Sequence, residues 1–216
     1  MDKWVPTEIW EGDPCYIIGG GPSLKGFDWS VLRGRHVLGC NASMYLGVNT
    51  VPVMVFGDGL FLNQHRDGLD SYAKAGGIVV TNSRLVNRID RRNPPQYLKV
   101  MKKEQRGLHH TALGWNNSTG ACAINLALLF GADPIYLLGY DMQINSEGEK
   151  NFHNYYSDKA TAQVYERFMR GMADVARDLS TKFPGRTVIN LEDGTSALEE
   201  FPKESLKCHF LKEYAV

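Results

Sequence analysis

The chain has 216 residues with 24 basic and 24 acidic side chains, so its formal net charge is zero, and 43% of its residues are hydrophobic. This balance is typical of an ordinary globular protein, and it argues against a long disordered region and against a generally basic, nucleic-acid-binding surface. A chain of this length can bury roughly 70% of its unfolded surface, which excludes the small folds that depend on disulfides or a structural metal.

The cysteines and the amino terminus indicate the cellular setting. Cys15, Cys40, Cys122 and Cys208 lie far apart, without Cys-x-x-Cys or zinc-ligand spacing, and the first three fall in apolar runs typical of core residues. The amino-terminal residues contain no apolar signal-peptide core, and no stretch approaches the ~18 apolar residues of a membrane span. We therefore expect no metal site, no transmembrane segment and a reducing, cytoplasmic location.

Short apolar runs alternate with longer helical patterns along the chain. The runs that predict strands are Cys15–Gly19, His36–Cys40, Val53–Gly57, Gly77–Thr81, Ile135–Gly139 and Thr187–Asn190. They are nearly continuous, as in parallel strands that are covered on both faces. The patterns that predict helices are Leu24–Leu32, Leu60–Ala75, Ser118–Phe130 and Thr161–Lys182, and we expect the apolar stripe of the last helix to be core. The sequence predicts one α/β domain over residues 1–216, with a mostly parallel sheet.

The segment Arg84–Arg106 interrupts this alternation. It carries eight basic side chains against two acidic ones, a local net charge of +6, and it contains Asn93-Pro94-Pro95. We interpret residues 84–110 as an excursion from the layered core that forms a lid or insertion and holds an anionic acceptor or polyanion. The alternative is a solvated basic face.

The first predicted strand runs into a glycine turn and then a helix start. Gly19, Gly20 and Gly21 allow a sharp turn and close approach of a ligand, Pro22 suits a first helical turn, and Ser23 can cap it or bind a phosphate. The Lys of a Walker loop and the third glycine and acid of a dinucleotide fingerprint are missing. The turn predicts a phosphate-bearing ligand, and a plain tight turn is the alternative.

Three predicted strands end in a polar residue at the carboxyl edge of the sheet, where ligands of open α/β sheets bind. Asn41 offers an amide suited to a ribose hydroxyl or a base edge. Asp58 could position an acceptor or hold Mg²⁺ through phosphate, and Asp141 ends the strand Ile135–Gly139 and its turn in the same way. Capping of the following helix is the alternative for Asn41 and Asp58.

Asn117, Ser118, Thr119 and Gly120 open a helix of small residues, where a second anionic or carbonyl group can approach closely. Capping alone explains part of this pattern. The pattern nevertheless predicts a second binding element beside the glycine turn.

His153 is the histidine that we select as functional, because it follows the loop after Asp141 and lies outside any apolar stripe. Its ordinary pKa lets a histidine exchange protons or stabilise a phosphate charge. His109 and His110, which border the basic segment, are weaker candidates.

Taken together, these motifs resemble two related families. The motifs are Ile18-Gly-Gly-Gly-Pro-Ser-Leu24, Cys40-Asn41, Asn117-Ser-Thr-Gly120 and Ile135-Tyr-Leu-Leu-Gly-Tyr-Asp-Met142, joined by Val188-Ile-Asn190, Ser196-Ala-Leu198 and Phe201-Pro202. They resemble the bacterial sialyltransferases that use CMP-sialic acid, and the 6-hydroxymethylpterin diphosphokinase MptE-like family, which includes uncharacterised phage relatives. The resemblance implies a Rossmann-like three-layer sandwich.

The sialyltransferase resemblance implies a role for each motif. Gly21, Pro22 and Ser23 would approach the nucleotide phosphate, Asn41 the nucleotide sugar, and Ser118, Thr119 and Gly120 the donor, while His153 would act as general base.

The leading hypothesis is a glycosyltransferase that moves a sugar from a CMP-type donor to a hydroxyl. The alternatives are a diphosphokinase acting on a pterin-like alcohol, with Mg²⁺ held by Asp58 or Asp141, and a non-catalytic nucleotide- or polyanion-binding module. The sequence leaves the acceptor and the oligomeric state open.

Overall fold

A computed structural model describes residues 3–83, 95–156 and 162–212 of the chain. Its strands are β1 (Cys15–Ile18), β2 (His36–Cys40), β3 (Val53–Phe56), β4 (Ile78–Thr81), β5 (Leu98–Val100), β6 (Lys102–Glu104), β7 (Ala112–Gly114), β8 (Ile135–Leu138), β9 (Val188–Leu191) and β10 (Lys203–Glu204). Its α-helices are α1 (Gly59–Gln64), α2 (Arg66–Lys74), α3 (Thr119–Leu129), α4 (Ala162–Lys182) and α5 (Leu206–Lys212).

Eight of the strands form one sheet in the order β10-β9-β8-β1-β2-β3-β4-β5, and each described pair of neighbours is parallel. The chain builds outward from β1 to β5 and then returns to the other side of β1 with β8. Strand order therefore reverses between β1 and β8, and this reversal opens a crevice at the carboxyl ends of these two strands.

Both faces of the sheet are covered, as the continuous apolar runs predict. Ile17 on one face belongs to a core that includes α3 and the second half of α4. Tyr16 on the other face belongs to a core that includes Leu69 and Tyr72 of α2. The expectation of an α/β three-layer fold with a mostly parallel sheet is confirmed.

Two helix predictions differ from the structure in their details. The predicted helix Leu24–Leu32 is instead two 3₁₀ turns, Pro22–Leu24 and Trp29–Leu32, because Gly26 has a φ of 75°, in the left-handed region, and cannot continue a right-handed helix. The predicted helix Leu60–Ala75 is divided at His65, whose φ is −122°, into α1 and α2.

The basic segment is described in part. Residues 84–94, which carry half of its basic side chains, lie outside the described residues, so the lid there stays a prediction. The remainder contributes β5 to the edge of the main sheet, and β6 pairs with β7 in a small second sheet. The described part therefore supplies one strand to each of the two sheets.

Candidate functional site

A cavity of about 390 Å³, here called the main cavity, lies where strand order reverses between β1 and β8. Most of the site residues predicted from the sequence line it: residues 19–21 and 117–120, with Asn41, Asp58, Asp141 and His153. Its volume falls within the range of about 300–1,000 Å³ that is usual for small-molecule sites. The carboxyl ends of β1, β2, β3 and β8 and the start of α3 therefore meet around one cavity.

The glycines after β1 are required by close packing against the turn after β8. A Cβ on Gly19 would lie 2.6 Å from the Gly139 carbonyl oxygen, and one on Gly21 would lie 2.5 Å from Cγ of Asp141. The N–H of Gly21 donates to the Gly139 carbonyl at 2.8 Å, and that of Gly19 donates to Leu138 at 2.8 Å. The N–H groups of Gly19 and Gly21 are therefore already paired, so a phosphate that approached this turn would receive no hydrogen bond from them.

Ser23 and Asp141 join the two turns directly. The Ser23 hydroxyl donates to Oδ1 of Asp141 at 2.6 Å, and its backbone N–H donates to Oδ2 at 2.8 Å. Burial raises the pKa of Asp141, and the hydrogen bonds from Ser23 oppose that rise. Ser23 therefore holds the Asp141 carboxylate in place, in contrast to its expected place on a phosphate.

A second cavity of about 310 Å³ adjoins the first, and Asp141 and Gln143 line both. Pro22 and Ser23, which the sequence placed on the nucleotide phosphate, line this second cavity and are not among the described residues that line the main one. The carboxylate of Asp141 stands at the junction of the two spaces.

The start of α3 brings N–H groups that lack an intrahelical acceptor to the lining of the main cavity. Ser118 occupies the N-cap position but makes no side-chain capping bond. The N–H groups of Thr119 and Gly120, in the first turn, have no intrahelical acceptor, and the helix dipole places partial positive charge there. Gly120 is held by the buried Tyr140, whose hydroxyl donates to the Gly120 carbonyl at 3.1 Å. Of the two elements predicted to bind an anion, the turn after β1 and the start of α3, the start of α3 is the better placed to donate hydrogen bonds to one.

Strained backbone is concentrated around the main cavity. The described residues other than glycine that have a positive φ are Asn41, Asn116, Asn117 and Met142, with φ between 46° and 58°. All but Asn116 line the main cavity, and Asn116 adjoins it in sequence. Conformations of this kind cost of order 1–3 kcal/mol each and cluster at ligand sites.

Asn41 also presents an unsatisfied acceptor. Its Oδ1 atom is buried and has no hydrogen-bond partner among the described residues. Buried polar atoms are nearly always paired, so an unpaired one in a cavity lining points to a donor on a ligand or water. Asp58 was predicted either to cap a helix or to belong to the ligand site. Its Oδ1 accepts the Leu60 N–H at 2.9 Å as a helix cap, and the residue also lines the main cavity.

His153 is half-buried in a group of aromatic rings that includes Phe152, Tyr155 and Tyr156. Burial lowers the pKa of His153 from 6.5 to about 4, so the ring is neutral near pH 7. Its Nδ1 accepts the Tyr155 N–H at 3.3 Å, which leaves the proton of the neutral ring on Nε2. In this arrangement His153 is a hydrogen-bond donor, in contrast to the expected general base.

The apolar wall of the main cavity was not predicted as part of the site. Phe61, Trp115 and Tyr156 line it, together with Val164 and Phe168 from the first turns of α4. The apolar stripe of α4 was expected to be core, and its second half is, but its first half borders the cavity. The absence of a turn or polar residue from this stripe left the sequence without a signal for the site.

Other predicted residues lie elsewhere. His109 and His110 are not among the described residues that line the main cavity, and Nε2 of His109 contacts the Arg106 carbonyl oxygen at 2.7 Å. Cys15, Cys40 and Cys122 are buried as expected, and burial raises the pKa of Cys40 and of Cys122 to about 12, so neither is a nucleophile.

The residues that the structure describes are 3–83, 95–156 and 162–212. They contain no group of three or more His, Cys, Asp or Glu side chains arranged to hold a metal ion. They also contain no helix whose length and apolar character would allow it to cross a membrane.

No protein-family model matches the chain, and no curated protein matches its sequence. Among solved structures, it is similar to the MAf glycosyltransferase from Magnetospirillum magneticum AMB-1, with a TM-score of 0.65 over 99% of this chain and 13% sequence identity. This chain spans 39% of the length of that structure. At this identity the likeness shows a shared fold, and activity has to be argued from the chemistry of the site.

Proposed function

We propose that this chain is a nucleotide-dependent transferase that moves a sugar from a CMP-type nucleotide donor to a hydroxyl acceptor. The observation that carries the proposal is the meeting of the β1 turn, the β8 turn and the uncapped start of α3 around one cavity at the reversal of strand order. The glycosyltransferase that shares this fold, and the sequence resemblance to sialyltransferases, support the transfer of a sugar.

The donor's phosphate would bind at the start of α3. The free N–H groups of Thr119 and Gly120 point to this place for negative charge, and the Nε2–H of His153 can add a further hydrogen bond. The buried Oδ1 of Asn41 would accept from a ribose hydroxyl or a base amine. A preorganised donor at an oxyanion contributes about 3 kcal/mol to lowering a barrier, so these groups matter as much as the base.

Asp141 is the residue that we assign as proton acceptor. The acceptor's hydroxyl oxygen attacks the anomeric carbon and forms the new C–O bond, while the bond from that carbon to the phosphate oxygen breaks. The electron pair of the broken bond stays on the phosphate, and the hydroxyl proton passes to Asp141. The raised pKa of Asp141 makes it a stronger base than an ordinary carboxylate, and each of its oxygens keeps a lone pair beyond its bond to Ser23.

Turnover of CMP-sialic acid in the presence of EDTA tests this proposal. We expect release of CMP without added metal, loss of nucleotide binding in Gly21→Val, and a large fall in turnover with retained nucleotide affinity in Asp141→Asn. Because a Cβ on Gly21 would lie 2.5 Å from Cγ of Asp141, far-UV circular dichroism and the melting temperature establish that Gly21→Val is folded. Unchanged nucleotide affinity in Gly21→Val would reject the site.

A second candidate is diphosphate transfer from a Mg²⁺-nucleotide to a small alcohol. Asp58 and Asp141 line the same cavity, and Mg²⁺ is commonly bound by one or two carboxylates together with substrate phosphates. Activity with ATP that EDTA abolishes would favour this candidate over sugar transfer.

A further inference from the structure

The second cavity is a built space with its own chemistry. Hydroxyl and amide side chains line it, namely those of Ser23, Gln143, Asn145, Ser146 and Thr195. Asp141 is the one charged residue among the described residues that line it. The Ser23 hydroxyl, the Gln143 Nε2 and the Asn145 amide already make hydrogen bonds within the protein. The Ser146 and Thr195 hydroxyls and Oε1 of Gln143 remain to bond a ligand rich in neutral hydroxyl groups, each of which can both donate and accept.

The walls of this cavity are held in place by hydrogen bonds from neighbouring turns. The Gln143 Nε2 donates to the Thr195 carbonyl at 2.7 Å, which ties the turn after β8 to the turn after β9. Oδ1 of Asn145 accepts the Glu149 N–H at 2.8 Å and shapes the loop that carries Ser146. A site whose walls are fixed in advance loses less conformational entropy when a ligand binds.

The charges around the second cavity disfavour an anionic ligand. Asp141 lines it, and Glu192 bonds the Thr195 N–H at its edge at 2.7 Å, whereas no Lys or Arg is among the described residues that line it. Lys203 partly compensates Glu192, with its Nζ 3.8 Å from Oε1, so the Asp141 carboxylate is the main charge that would repel an anion placed there. This contrasts with the anionic acceptor that the basic segment Arg84–Arg106 led us to expect.

We propose that the second cavity is the acceptor subsite of the transferase and that it binds a neutral sugar or similar polyol. This inference rests on the proposed function. The two cavities meet at Asp141, so a hydroxyl in the second cavity and a donor in the main cavity would approach the same carboxylate from two sides. Asp141 would then take the proton of that hydroxyl as the new bond forms.

Saturation-transfer NMR with defined glycosides tests the assignment. The probes are methyl β-galactoside, methyl β-glucoside and methyl N-acetyl-β-glucosaminide, with methyl β-glucuronide as the anionic counterpart of the glucoside. We expect at least one neutral glycoside to bind, and to bind about tenfold or more tightly than the glucuronide. We also expect binding in the presence of saturating CMP, because the two cavities are separate spaces.

Variants at the rim locate the probe. The exposed Ser146→Trp fills the second cavity, and we expect it to weaken glycoside binding about tenfold or more. Glu147→Trp adds the same side chain at the next exposed position, which does not line the cavity, and it should leave glycoside affinity unchanged. Far-UV circular dichroism and the melting temperature establish that each variant is folded.

The outcomes separate this inference from the proposed function. If no neutral glycoside binds, if the glucuronide binds as well, if CMP displaces the glycoside, or if Ser146→Trp has no effect, the acceptor subsite is rejected. CMP affinity is measured on the same samples. Glycoside binding without CMP binding would reject the nucleotide site and leave this cavity as a sugar site, whereas CMP binding without glycoside binding would reject only the subsite.

Discussion

Two titratable residues of the main cavity, Asp141 and His153, have pKa values shifted in opposite directions, which suits one to accept a proton and the other to donate a hydrogen bond. Burial raises the pKa of Asp141 and lowers that of His153 to about 4. The carboxylate thereby becomes a better proton acceptor near neutral pH, while the imidazole stays neutral and donates from Nε2. Environments that separate the pKa values of two neighbouring groups are a known basis for assigning acid and base roles.

The pKa of His153 makes a prediction about stability against pH. The native ring resists protonation down to about pH 4, whereas the ring in the unfolded chain takes up a proton near pH 6.5. The unfolded state therefore binds more protons between these two values, and the free energy of unfolding should fall as the pH is lowered from 6.5 to about 4.

Urea denaturation at several pH values measures this effect. In His153→Gln, the free energy of unfolding should fall less than in the wild type as the pH is lowered from 6.5 to about 4. His110→Gln, at an exposed position, is the matched control. Parallel curves for the wild type and His153→Gln across this window would contradict the burial of a neutral ring.

At the scale of elements, the strands and the turns at their carboxyl ends could be predicted with little more than the apolar runs. β1 and β8 read as continuous apolar segments because both of their faces are buried. In β5, Lys99 stands exposed between the buried Leu98 and Val100, so this edge strand was hidden within a basic segment. Local patterns report which faces are apolar but not what covers them, which is why the first half of α4 was taken as core.

The glycine turn illustrates a different limit of sequence reasoning. Three glycines in a row after a strand indicate close approach of another group, and the sequence alone cannot say whether that group is a ligand or backbone. Here the Gly139 carbonyl and Asp141 occupy the space. The start of α3, which carries the free N–H groups, has a weaker sequence signal because Ser, Thr and Asn are also ordinary caps.

The start of α3 allows a test that separates stability from function. A carboxylate in the first turn interacts favourably with the helix dipole, which offsets part of the cost of a charge at the buried Thr119, so Thr119→Asp should leave the fold intact and change its stability by about 1 kcal/mol or less. The same negative charge would repel a phosphate at the Thr119 and Gly120 N–H groups, and nucleotide affinity should fall about tenfold or more.

Thr119→Asn, which has a similar shape and no charge, is the comparison. Titration calorimetry gives the affinity and thermal denaturation gives the stability. Equal nucleotide affinity in the Asp and Asn variants would show that phosphate binds somewhere else.

At the scale of the whole molecule, the site arises from topology more than from any one motif. The chain places β2 to β5 on one side of β1 and β8 to β10 on the other, so turns distant in sequence converge where the order reverses. Ser23 and Asp141 are 118 residues apart and yet share two hydrogen bonds there. A ligand in the main cavity would therefore contact both halves of the sheet.

A ligand that bridges the two halves should stabilise the whole fold by mass action. At a concentration of 100 times its Kd, a ligand that binds only the native state adds about 2.7 kcal/mol. For a chain of this size, about 1 kcal/mol corresponds to roughly 2–4 °C in Tm, so the expected rise is of order 5–11 °C. A thermal-shift panel of CMP, UMP, GDP, ATP and CMP-sialic acid, each with and without Mg²⁺, measures it.

We expect CMP and CMP-sialic acid to raise Tm without Mg²⁺, whereas a rise confined to ATP with Mg²⁺ would contradict the CMP donor. Gly21→Val should show no rise with any member of the panel, and a full rise in that variant would move the nucleotide out of the main cavity.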